Sequence, residues 1–71
     1  MEDYNAHVIL VSMLEPGQRF YFSGRIFEIF NVYHHFEDYR LIMFQELNNQ
    51  VERGTMELKG SSDFTILLNK E

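Results

Sequence analysis

LEPGQRFYFSGRIFEIF, running from Leu14 to Phe30, spells two turns and the strands beside them. Proline presets φ and glycine accepts positive φ, so Pro16-Gly17 is turn chemistry, and Glu15 is held extended by the proline that follows it. Arg19 to Phe22 then alternates with period two, Phe20 and Phe22 on one face and Arg19 and Tyr21 on the other. Ser23-Gly24 marks the next reversal. Beyond it, Arg25 to Tyr33 is rich in β-branched and aromatic residues and lacks helix caps, which reads as a longer strand. Strict alternation would put Phe27, Ile29 and Tyr33 on one of its faces and Ile26, Phe30 and Val32, with Glu28, on the other.

Working outward, the run around Val8, Ile9, Leu10 and Val11 predicts a buried strand from about His7 to Leu14. On the other side, His34-His35-Phe36-Glu37-Asp38 is a polar connection, and Tyr39 to Leu47 resumes the strand pattern with Leu41 and Met43 facing opposite to Ile42 and Phe44. Tyr39, Met43, Phe44 and Leu47 also fit helical spacing, but no capping residues flank the segment, and strand is the preferred reading. Asn48-Asn49-Gln50 is a turn by composition, Val51 to Leu58 a more polar strand, Lys59 to Asp63 another turn, and Phe64 to Leu68 the last strand. Short strands divided by regular turn signals describe an all-β protein, and at 71 residues the expected form is a single domain, residues 1–71, built as a small five- or six-stranded barrel.

The pattern Leu14-x-Pro16-Gly17-x-x-Phe20-x-Phe22-x-Gly24-x-x-Phe27-x-Ile29 resembles the opening of small SH3-like β-barrel proteins encoded by bacteriophages and mobile elements. The resemblance covers the first half of the chain and implies an SH3-like barrel with Leu14, Phe20, Phe27 and Ile29 in the core. Its positions carry turn chemistry and packing, so no functional residue comes across with it. What it implies about role is a short acidic protein that binds and modulates a host protein, an inhibitor being one such case.

Composition bounds the rest. The chain has no cysteine, so neither a disulfide nor a thiolate metal site assists a core that is small for its entropy cost. At 45% hydrophobic and 15% aromatic residues it is too apolar for a disordered segment. No run approaches the roughly 18 apolar residues that span a bilayer. The acidic start, Met1-Glu2-Asp3-Tyr4, is unlike a signal peptide, so no membrane association and a cytoplasmic location are expected. A net charge of -5 with scattered Lys and Arg works against phosphate neutralisation, making nucleic acid a weaker candidate than a protein partner, one of basic character in particular.

Few residues offer chemistry. His34-His35 with Glu37 and Asp38 is the one grouping of metal-ligand type, yet adjacent histidines on extended backbone point to opposite faces, and no metal or other cofactor is expected. Ser12, Ser23, Ser61 and Ser62 stand in strand or turn contexts, the glycines are isolated, and the paired carboxylates Glu2-Asp3 and Glu37-Asp38 are sequence neighbours, so an enzyme is not expected. Arg19, Tyr21, Arg25, Tyr33, Tyr39 and Arg40 could instead form a stacking platform for single-stranded nucleic acid, the alternative reading. The preferred reading starts from the two-sided apolarity of the central strands, since a small barrel buries one face only and leaves Ile26, Phe30, Ile42 and Phe44, or their opposites, partly exposed. Such a face fits protein binding or homo-oligomer formation. The expected partner-binding residues are Tyr21, Phe30, Tyr33, Phe36, Tyr39 and Phe44, with Glu28, Glu37 and Asp38 as a charged rim that steers a basic partner.

Overall fold

A computed structural model describes residues 4–34, 36–47 and 52–69. Among these, the chain forms strands β1 (Tyr4–Leu10), β2 (Arg19–Phe22), β3 (Arg25–His34), β4 (Tyr39–Glu46), β5 (Arg53–Lys59) and β6 (Asp63–Asn69), with a 3-10 turn at Val11–Met13. All six strands are antiparallel members of one sheet in the order β1-β6-β2-β3-β4-β5. The Asn48-Asn49-Gln50 turn and Val51 lie outside the described residues. No helix of the described residues is long and apolar enough to cross a membrane.

The turns follow from their residues. Glu15 to Gln18 closes with the Gln18 N–H donating to the Glu15 carbonyl at 3.3 Å, and Gly17 takes the positive φ, 96°, that the third turn position demands after proline. Ser23-Gly24 joins the paired residues Phe22 and Arg25 as a two-residue hairpin loop with φ of 54° and 79°. Positive φ at both positions matches the right-handed twist of the flanking strands.

The curled sheet encloses Val11, Leu14, Phe20, Phe27, Ile29, Ile42 and Ile66, all buried, with Ile9, Val32, Phe44, Met56, Leu58 and Phe64 packed against them. Phe20 is the hub: its ring lies 5.6 Å from Phe27 nearly parallel, and 5.3 Å from both Phe44 and Phe64 edge to face. These are favoured aromatic geometries. The four residues expected in the core from the Leu14 to Ile29 pattern are buried.

Two expectations need correction. The first strand starts and ends earlier than His7 to Leu14 and is an edge, with Val8 59% and Leu10 41% exposed. The burial expected of it belongs to Val11 and Leu14, which the 3-10 turn folds inward. That turn is tied down where the Val11 and Ser12 N–H groups donate to the Ser62 and Gly60 carbonyls, each at 2.9 Å. The faces of β3 also do not alternate strictly. The ladder with β4 shifts between Ile29 and Asn31, leaving Phe30 as the extra residue of a bulge. Beyond the bulge the parity flips, so Val32 joins Phe27 and Ile29 on the core while Tyr33 turns outward. Within the segment from Asp38 to Asn48, Tyr39–Glu46 is strand, as β4, and not helix.

Candidate functional site

The bulge creates the outer face of β3. Because Ile29 and Val32 point inward, Phe30, Asn31 and Tyr33 lie on the outside, and pairing sets them beside the outward Leu41 and Met43 of β4 and Arg53, Thr55 and Glu57 of β5. The Arg53 guanidinium sits over the Phe30 ring, 5.6 Å from its centroid, a cation–π arrangement. Phe30, Met43, Arg53, Gly54 and Thr55 line a shallow groove of about 360 Å³.

At one end of this face is the β3–β4 hairpin tip. The Phe36 ring stacks on Tyr39 at 5.8 Å with an interplanar angle of 15°, and Asn31 Nδ2 donates to the Tyr33 hydroxyl at 2.7 Å. The hairpin is shaped by Glu37, which takes a positive φ of 52°. His34 Nε2 reaches the Glu37 carbonyl oxygen at 2.6 Å, so that nitrogen donates across the loop. Tyr33 is 47% and Phe36 55% exposed, the first near the end of β3 and the second in the loop that follows. His35 lies outside the described residues, and among those described no three His, Asp or Glu side chains are placed to hold a metal ion.

Of the residues expected to contact a partner, Phe30, Tyr33, Phe36 and Tyr39 come together on this face, with Glu37 at its tip and Glu28 farther along β3. Three others do not join them. Tyr21 is outward and 64% exposed, but it pairs with Ile26. That is seven residues from Tyr33, about 23 Å of strand at roughly 3.3 Å per residue. Phe44 points inward, its ring 5.3 Å from Phe20 and 5.4 Å from Phe27, so it is a packing residue and not a surface anchor. Asp38 belongs to a fold contact: its carbonyl accepts from the Gly60 N–H at 2.6 Å, and Oδ1 lies 4.0 Å from Arg40 Nη1. Asn31, Leu41, Met43 and Arg53 share this face and were not among the expected contact residues. Asn31 was the available signal, a polar residue between Phe30 and Val32 in a largely apolar strand.

The arginines proposed for a nucleic-acid platform are engaged with carboxylates. Arg19 Nε lies 3.5 Å from Glu28 Oε2 while its Nη1 donates to the Tyr4 hydroxyl at 3.1 Å. These contacts, the Tyr4 bond foremost, raise the Arg19 pKa above its ordinary value. Arg25 bonds Glu52 and lies 3.4 Å from Glu46, and Glu52 chiefly raises its pKa. Charge already answered by a carboxylate releases fewer counterions on meeting phosphate.

No family model, curated protein or solved structure matches the chain.

Proposed function

We propose that the protein is a non-enzymatic interaction module, an SH3-like barrel that binds another protein through the outer face of β3 and β4 and the hairpin between them. The sheet supports the barrel reading: β2 to β5 form a meander, β6 returns to lie beside β2, and the Ser12 N–H donates to the carbonyl of Gly60, which directly follows β5. The observation that carries the binding reading is the stacked Phe36–Tyr39 pair beside exposed Tyr33, a cluster of aromatic side chains of the kind that anchors interfaces. Glu37 and Glu57 flank it within a chain of net charge -5, which favours a basic partner by steering. The resemblance to barrels of bacteriophages and mobile elements points to a host protein as that partner.

The test is affinity capture with wild type and a Tyr33→Ser, Phe36→Ser variant, with and without nuclease. A stoichiometric, nuclease-resistant protein that the variant loses, while retaining β-type circular dichroism, supports the assignment. Capture unaffected by the variant, or dependent on nucleic acid, overturns it.

A further inference from the structure

Beyond that face, the two ends of the sheet differ in a way that bears on self-association. β1 and β5 are its edge strands, and an edge presents unpaired N–H and C=O groups that template pairing unless charge, proline or a bulge blunts it. β5, Arg53-Gly-Thr-Met-Glu-Leu-Lys59, carries three charged residues. β1, Tyr4-Asn-Ala-His-Val-Ile-Leu10, has no Lys, Arg, Asp, Glu, Pro or Gly, and its register with β6 is unbroken from Tyr4↔Asn69 to Leu10↔Asp63.

We propose that β1 pairs antiparallel with β1 of a second copy about a two-fold axis at His7, joining two sheets into one. This register sets Tyr4 opposite Leu10 of the second copy, Asn5 opposite Ile9, and Ala6 opposite Val8. Since Ile9 faces the core, Tyr4, Ala6, Val8 and Leu10 share the outer face, so the seam brings two identical apolar rows side by side. Val8 and Leu10, the large apolar residues of the strand that stand exposed, at 59% and 41%, are covered by it. No like charges meet among the paired residues, so the net charge of -5 is not concentrated at the seam. The same full-length operation on β5, about Met56, would set Arg53 opposite Lys59 twice, a repulsive pairing, and the register about Thr55 that sets Arg53 opposite Glu57 joins only five residues. Self-complementarity therefore selects β1, and a second copy of this chain is its occupant.

Sedimentation velocity across a concentration series, with hydrogen exchange on the same samples, tests this. The expected species has twice the 8.6 kDa chain mass, with amide protection of residues 4–10 that rises with concentration. Val8→Lys, at a site already exposed in the single chain, should weaken the dimer at least about tenfold, as edge lysines do. Thr65→Lys, on the same face but one strand inward, should leave a dimer. A monomer throughout, or a dimer that survives Val8→Lys undiminished, overturns the proposal. So does a dimer without protection of β1, which would place the contact on another surface.

Discussion

Replacing Gly54 with alanine would drive a methyl group into an aromatic ring. A Cβ at Gly54 would stand 2.6 Å from Phe44 Cζ and 2.8 Å from Cε1. Ordinary carbon contacts are about 3.5–4.0 Å, so the overlap approaches 1 Å. The ring has little freedom to yield, because Phe20 and Phe27 hold it edge to face at 5.3 and 5.4 Å. Overpacking of this kind costs about 1–3 kcal/mol. Set against it is the lower unfolded-state entropy of alanine, about 0.5–1 kcal/mol in its favour. The net expectation is a loss of about 1–2 kcal/mol, near 5–15 °C in Tm for a domain of this size. The decisive assay is a double-mutant cycle by urea denaturation with Phe44→Leu, which removes the ring but keeps most of the buried volume. Without the ring, Gly54→Ala should change sign and stabilise by about 0.5 kcal/mol or more. If Gly54→Ala stabilises the wild-type background, or destabilises both equally, Phe44 is not packed on Gly54 and the reasoning fails.

Other outcomes follow from the same packing. Ile29→Ala, at a fully buried position of the central strand, should cost about 2–5 kcal/mol and leave most molecules unfolded in thermal melts at 37 °C. Ser23→Asn should raise Tm by a few degrees, because asparagine adopts the left-handed region more readily than serine and Ser23 holds φ at 54°. Deleting Phe30, the extra residue of the bulge, should join Ile29 to Asn31 in strict alternation with Val32 still on the core and the β3–β4 pairing kept. Such a variant and Phe30→Ala, which keeps the bulge, should both denature cooperatively in urea, and loss of the transition in the deletion alone would show that the bend at Phe30 is needed for the sheet to form. Adding salt to 0.5 M should leave Tm nearly unchanged, since the Arg19–Glu28 and Arg25–Glu46 pairs lie at the surface.

What the chain announces locally, it announces well. Pro16-Gly17 and Ser23-Gly24 reverse the backbone because their allowed φ values leave little choice, and Arg19 to Phe22 and Arg25 onward extend because branched and aromatic side chains suit a pleated surface. These are preferences of a few neighbouring residues, so a sequence displays them. The all-β class came from that level, while the core positions Leu14, Phe20, Phe27 and Ile29 came from the resemblance of the Leu14 to Ile29 pattern to small barrels. The faces did not. One bulge at Phe30 exchanges Val32 and Tyr33 between core and surface, and its position is set by where β3 must bend to keep pairing with β4 while the sheet curls. Likewise Phe44 became a packing residue because Gly54, ten positions away, leaves room for its ring. Asp38 was drawn into a contact with Gly60 and Arg40 across the β5–β6 turn. Whether β1 is buried or an edge depended on strand order, a property of long-range pairing that no local pattern carries. Propensity and turn chemistry are written residue by residue; which side of a strand meets water is decided when distant strands find their register.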